Sequence, residues 1–252
     1  MQYQFQYGAP GSHRHSGTFL FVVGHMRSYS SVLCHILGSH PEISGYAEAH
    51  QSYLGRNDLD RLARTVREQT GEVTLKRIVL DKVLHNHREI APDILRRSDV
   101  RCLFLLRNAG DTIASILNMA RTLEHTGDFS DPSRVVAYYA ERLARIEEYV
   151  PYVSGRALFV ESERLLDDTA AELARLTHWL ALAEPLAAEY RTFRHTGTPG
   201  HGDPSPHIRT GRIVASDDER HRGYVPIAIP AELLTRGNAA YARCRAALSR
   251  LT

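Results

Sequence analysis

The run Thr18–Val23, TFLFVV, is apolar at five of its six positions and does not alternate. A strand of that kind is buried on both faces, as in a parallel sheet covered by helices. A polar turn follows, Gly24-His25-Met26-Arg27-Ser28-Tyr29-Ser30-Ser31, and then an apolar helical run over 32–37. Short apolar runs recur at 76–80, 100–106 and 157–160, the first of them closed by Asp81-Lys82. Helical patterns at 28–37, 58–69, 110–123, 132–149 and 168–182 lie between and after them, and 230–251 reads as a closing helix. Strands alternating with helices predict an α/β fold, a three-layer sandwich with a central parallel sheet. In such sheets ligands sit outside the carboxyl ends of the strands. Three polar turns fall at such ends, 24–31, 81–86 and 107–111, and the site is expected there.

The turn 24–31 has the frame of the nucleotide loop G-x-x-x-x-G-K-[ST], with Gly24 first and Ser31 last. Backbone N–H groups at the start of the following helix, with the helix dipole, favour an anion there. The expected fold is therefore P-loop nucleotide-hydrolase-like. Yet Tyr29 stands where the second glycine belongs and Ser30 where the lysine belongs. A kinase or hydrolase lacking both is hard to run, so a degenerate P-loop kinase or nucleotide-binding protein is the weaker reading. Arg27 supplies a cation inside the turn instead.

A chain of 252 residues has room for one substantial core, and 1–252 reads as a single domain. Residues 1–17 read as a poorly ordered arm, without the apolar core of a secretory signal. No run reaches the ~20 apolar residues of a membrane span, and cytoplasm is the default expectation. A formal charge of +2 gives nucleic-acid binding no electrostatic support. The basic residues are almost all arginine; Lys76 and Lys82 are the only lysines, which singles out Lys82 at the end of an apolar run. Three widely spaced cysteines, Cys34, Cys102 and Cys244, read as buried thiols. The segment 194–223, rich in Gly, Pro, His and Arg, has no hydrophobic period and reads as a loop over the cofactor or acceptor. Its His195, His201, His207 and His221 match no tetrahedral metal spacing.

Two motifs, in order and each after a strand, resemble the sulfotransferases that use 3′-phosphoadenosine 5′-phosphosulfate (PAPS), of bacterial, carbohydrate and tyrosyl-protein type. Arg27-Ser28-Tyr29-Ser30-Ser31 occupies the place of the family's R-S-G-T-T turn, which binds the 5′-phosphosulfate, and His40-Pro41-Glu42 and Glu48 follow as in relatives. The run LFLLRNAGDTIASIL resembles the strand–loop–helix that binds the 3′-phosphate, with Arg107, Asn108, Asp111 and Ser115 matching and Ala109 in place of a proline. Residues 157–182 resemble a late strand and helix of the family, and 202–213 a loop of some bacterial members. The K-G-x-x-G-x-W-K pattern of cytosolic steroid and phenol sulfotransferases is absent.

The resemblance implies PAPS as co-substrate, PAP (3′-phosphoadenosine 5′-phosphate) as product, no metal, and a small-molecule or glycan acceptor. It assigns donor contacts to Arg27, Ser28, Tyr29, Ser30, Ser31, Arg107 and Ser115, with Ser205, Arg209 and Arg212 from the late loop. It makes Glu48 the first choice for the base that takes the acceptor proton. His50, two residues on, is the second. Lys82 and Arg27 are expected to balance charge on the transferring group. The many Arg and His of the variable loops would suit an anionic or polar acceptor, while Tyr46, Tyr53 and Phe129 would suit an aromatic one. A sulfotransferase-like protein that only binds a ligand is the further alternative, because the Tyr29 ring stands in the phosphate turn.

Overall fold

The computed structural model describes residues 15–122, 128–198, 202–204, 206–213 and 227–251. Five parallel strands form one sheet in the order β2-β3-β1-β4-β5: β1 Thr18–Val23, β2 Ile43–Ser44, β3 Ile78–Val83, β4 Val100–Leu106 and β5 Ala157–Glu161. Helices α1 Ser30–Ser39, α2 Arg56–Thr70, α3 Pro92–Leu95, α4 Ala109–Thr122, α5 Pro132–Tyr149, α6 Ser162–Asp167, α7 Thr169–Leu180 and α8 Ala231–Leu248 cover it. None of the described helices is long and apolar enough to cross a membrane.

The pleat sorts each strand onto two cores. Phe19, Phe21 and Val23 join Cys102, Phe104 and Phe159 under α2, α4, α5 and α8. Leu20 and Val22 join Leu103, Leu105 and Val160 under α1 and α7. Every strand is buried on both faces, as the non-alternating runs predict. The three cysteines are buried and free.

The structure departs from the sequence reading in several places. The second predicted strand runs Ile78–Val83 instead of 76–80, so Asp81 and Lys82 lie inside it, in register with Phe21 and Val22 of β1. Parallel pairing along the whole of β1 overrides the local polarity of the Asp-Lys pair. Helix α1 begins at Ser30, not 28, because Tyr29 takes a left-handed conformation and ends the turn. A two-residue strand, β2, adds an edge too short for any periodicity to reveal. Residues 1–14 of the expected arm and much of the 194–223 loop lie outside the described residues.

Candidate functional site

The sheet order changes direction at β1, whose neighbours are β3 and β4. The turns leaving these three strands open into one cavity of about 490 Å³. Arg27, Tyr29, Ser30, Ser31, Glu48, His50, Lys82, Arg107, Ser115 and Arg212 line it, so most of the residues singled out by sequence meet there. Ser28 does not: it is fully buried, its hydroxyl donates to the His25 carbonyl, and its own carbonyl accepts from Ser162. Its side chain shapes the turn from within. Arg209 is exposed, reaches the Gly197 carbonyl and does not line the cavity. Ser205 lies outside the described residues.

The two motifs are physically joined. Arg27 Nε donates to Ser115 Oγ at 2.9 Å, linking the first turn to α4. Arg107 Nη1 donates to the Arg27 carbonyl at 3.1 Å, and the Arg107 guanidinium carbon lies 4.4 Å from the centre of the Tyr29 ring. His25 makes the third link: its Nδ1 faces the Met26 carbonyl at 2.9 Å, and its Nε2 accepts the Arg107 N–H at 3.1 Å. These partners assign the proton to Nδ1. Burial holds the His25 pKa down at about 3, so the ring is neutral and free to accept. On the far side, Tyr139 donates its hydroxyl to the Arg107 carbonyl at 2.8 Å. Asn108 starts α4 by accepting the Asp111 N–H at 2.9 Å.

Glu48 sits in a segment pressed against β3. Gly45 makes that approach possible: at φ +106°, an added Cβ would lie 2.4 Å from the Leu80 carbonyl oxygen. Asp81, fully inside the protein, accepts the Ala49 N–H at 2.8 Å and the Tyr53 hydroxyl. Burial raises the Asp81 pKa to about 6. Gln69 secures the Glu48 carbonyl at 3.0 Å. The Glu48 carboxylate faces Lys82 Nζ at 3.4 Å, His85 Nε2 at 3.5 Å and His50 Nδ1 at 3.7 Å. Lys82 Nζ also donates to Ser31 Oγ at 3.0 Å, so one buried ammonium touches both the turn and the carboxylate. Burial lowers the His85 pKa, against the opposing pull of Glu48.

The late loop reaches the turn through residues 202–204. Asp203 pairs with Arg27 Nη1 at 2.9 Å, and its N–H donates to Ser31 Oγ at 3.0 Å. Gly202, at φ +128°, lies so close that a Cβ would stand 3.0 Å from Ser31 Oγ and 3.1 Å from Lys82 Nζ.

Sequence reasoning missed His85, Asp203, Asp81, His25 and Arg142. Arg142 is fully buried on α5 and donates to the carbonyls of Gly24 at 2.7 Å, Val83 at 2.5 Å and His85 at 3.4 Å. It ties together the exits of β1 and β3. Its signal was an arginine within the apolar stripe Tyr139, Leu143, Ile146 of α5. Two aromatic expectations are corrected: Tyr46 and Tyr53 are core residues, Tyr46 stacked on Phe193 and Tyr53 packed on Phe21. Their rings are spent on packing and offer no face to an acceptor. Phe129 is half-buried against Tyr138.

No family model matches the chain, and no curated protein matches its sequence. Solved structures do match in shape. The sulfotransferase domain from the curacin biosynthetic pathway aligns over 90% of this chain and 99% of its own length, at 17% identity and a TM-score of 0.61. The sulfotransferase domain from the Synechococcus PCC 7002 olefin synthase aligns over 95% and 98%, at 17% and 0.61. A sulfotransferase from Alicyclobacillus acidocaldarius aligns over 92% and 94%, at 17% and 0.54. At that identity the likeness is one of architecture, and this chain has the sulfotransferase fold.

Proposed function

We propose that this chain is a sulfotransferase that moves a sulfuryl group from PAPS to a hydroxyl of a small molecule or glycan. The observation that carries the proposal is the convergence of Arg27, Lys82 and Arg107 with the Glu48 carboxylate on one cavity beyond three adjacent strand ends. Its volume falls within the range of about 300–1,000 Å³ usual for small-ligand sites. The donor supplies a sulfuryl group joined to a phosphate that leaves readily. The residues supply position and charge, which transfers of this kind need most.

Arg27, Ser30 and Ser31 hold the phosphosulfate at the start of α1, where backbone N–H groups and the helix dipole add to the attraction. Arg107 and Ser115 take the 3′-phosphate, Arg107 through its planar fork. Arg212 adds a cation to the cavity lining. Glu48 accepts the acceptor hydroxyl's proton as that oxygen bonds to sulfur. The sulfur–oxygen bond to the phosphate breaks, and its electron pair leaves with PAP. Lys82, in contact with Ser31 and Glu48, offsets charge at the transferring group. Met26, Leu84 and Met119 give the cavity apolar surface for the body of the acceptor.

The experiment is a thermal shift with PAP. At a hundredfold excess over the dissociation constant, binding contributes about 2.7 kcal/mol, or roughly 5–10 °C for a chain of this size. Arg107→Ala should lose most of that shift. Equal shifts in both proteins would remove Arg107 from the phosphate, and a shift with ATP and Mg²⁺ but none with PAP would overturn the reading.

A further inference from the structure

Tyr29 is the residue of the turn whose type the roles above do not require. It precedes α1 at φ 60° and ψ 15°, a left-handed conformation that glycine adopts freely and a bulky side chain does not. Strained backbone persists only where its surroundings hold it, and it collects at functional sites. Among the described residues, four that are not glycine have positive φ: Arg27, Tyr29, His50 and Ala181. The first three line the cavity. A tyrosine is thus kept where a glycine would be relaxed, and the contact its ring makes is specific.

That contact is with Arg107, whose guanidinium carbon lies 4.4 Å from the ring centre. The negative face of an aromatic ring attracts a guanidinium, and arginine stacks on such faces in preference to lysine. The other fixings of Arg107 lie elsewhere around the group: Nη1 on the Arg27 carbonyl at 3.1 Å, Nη2 near Asp111 at 3.9 Å. Its main chain is held by His25 and Tyr139. The ring therefore closes a cage around the guanidinium, which remains partly open to the cavity. An arginine that must be ordered only on binding forfeits affinity to lost rotamer freedom, and one ordered beforehand does not.

We propose that Tyr29 is a positioning residue that stacks on Arg107 and orders its fork for the donor's 3′-phosphate. The identity of the anion rests on the proposed function; the ordering of Arg107 does not. Three variants separate ring from backbone. Tyr29→Ala removes the ring and keeps a Cβ, Tyr29→Phe keeps the ring, and Tyr29→Gly removes both ring and strain.

Two measurements test the proposal. The first is calorimetric affinity for PAP and for adenosine 5′-phosphate, which lacks the 3′-phosphate. Tyr29→Ala should weaken PAP about fivefold to tenfold, the scale of a partly desolvated cation–π contact, and adenosine 5′-phosphate less than about twofold. Tyr29→Gly should do the same, and Tyr29→Phe should restore most of the loss. The second is ¹⁵N relaxation of the Arg107 Nε–H in the free protein. Its order should fall in Tyr29→Ala and recover in Tyr29→Phe. Equal weakening of both nucleotides in Tyr29→Ala, or an Arg107 side chain equally ordered without the ring, overturns the positioning role. A wild-type chain that binds no PAP while its Arg107 loses order in Tyr29→Ala overturns instead the assignment to a 3′-phosphate, and with it the proposed function.

Discussion

Arg142 is a cation buried among carbonyl groups, and replacing it tests whether those bonds hold the strand exits together. In Arg142→Met the carbonyls of Gly24 and Val83 lose donors that now stand at 2.7 and 2.5 Å. The contact to the His85 carbonyl, at 3.4 Å, is too long to count for much. A hydrogen bond from a charged donor contributes about 1.5–3 kcal/mol, so the two short ones set a gross loss of about 3–6 kcal/mol. Offsetting this, methionine takes no charge out of water. Burial already pushes the Arg142 pKa below the ordinary arginine value, a sign that its desolvation is unfavourable. A net loss of about 2–4 kcal/mol is expected, which for a chain of this size lowers Tm by roughly 4–16 °C. Arg142→Lys sharpens the test. It keeps the buried charge, but a single ammonium does not span both strand ends, so it should be at least as destabilised as the methionine variant. Urea unfolding of the three proteins, read as midpoints at constant slope, gives the comparison. A methionine variant within about 0.5 kcal/mol of wild type, or a lysine variant clearly more stable than it, would refute the reasoning.

Glu48→Gln should lower turnover by about a hundredfold or more while PAP affinity changes little, the pattern expected when a general base is lost; near-normal turnover would move the role to His50 or His85. The His25 pKa lies at about 3, far below its ordinary 6.5. The unfolded chain therefore takes up a proton that the folded one refuses, and the contribution, complete above pH 6.5, is lost as pH falls towards 3. By pH 4.5 wild type should have lost about 3 kcal/mol that His25→Gln does not lose, checked by urea unfolding at both pH values. A wild type and variant that fall in parallel would show that the ring titrates normally. Asp203 already holds Arg27, so an arriving anion must compete with its carboxylate. Asp203→Asn should tighten PAP binding by roughly 1.5-fold to fivefold in calorimetry, the range for losing a partly exposed ion pair; unchanged or weaker binding would mean that Asp203 moves aside without cost or assists the donor.

The scaffold was legible because burial on both faces leaves a local trace. Thr18–Val23 and Val100–Leu106 are strands with the bounds that their apolar runs gave, and Pro132–Tyr149 is a helix with the bounds of its pattern. Lys82 was read as closing the second strand and lies inside it, since nothing local says that an Asp-Lys pair continues a strand. The residues that organise the cavity were less legible because their partners are distant in sequence. His25 meets Arg107 across 82 positions, Arg142 meets Gly24 across 118, and Asp203 meets Arg27 across 176. Tyr46 and Tyr53 show the converse error: a tyrosine in a loop reads as available, and tertiary packing decides otherwise.

The adjacency of β3, β1 and β4 has a metric consequence. Neighbouring strands in a hydrogen-bonded sheet stand about 4.8 Å apart, so the roots of the three turns are spaced over roughly 10 Å. Backbone pairing such as Val22 with Lys82 and Val23 with Phe104 sets that interval, and side chains do not enter into it. The sheet edge thus acts as a fixed gauge. Substitutions in the turns can exchange a glycine for a tyrosine or a lysine for a serine, and so change which charges a ligand meets. They leave the separation between its points of attachment as it was. At 17% identity to the solved sulfotransferases that it resembles in fold, this chain keeps its three turns at an interval that backbone pairing alone sets.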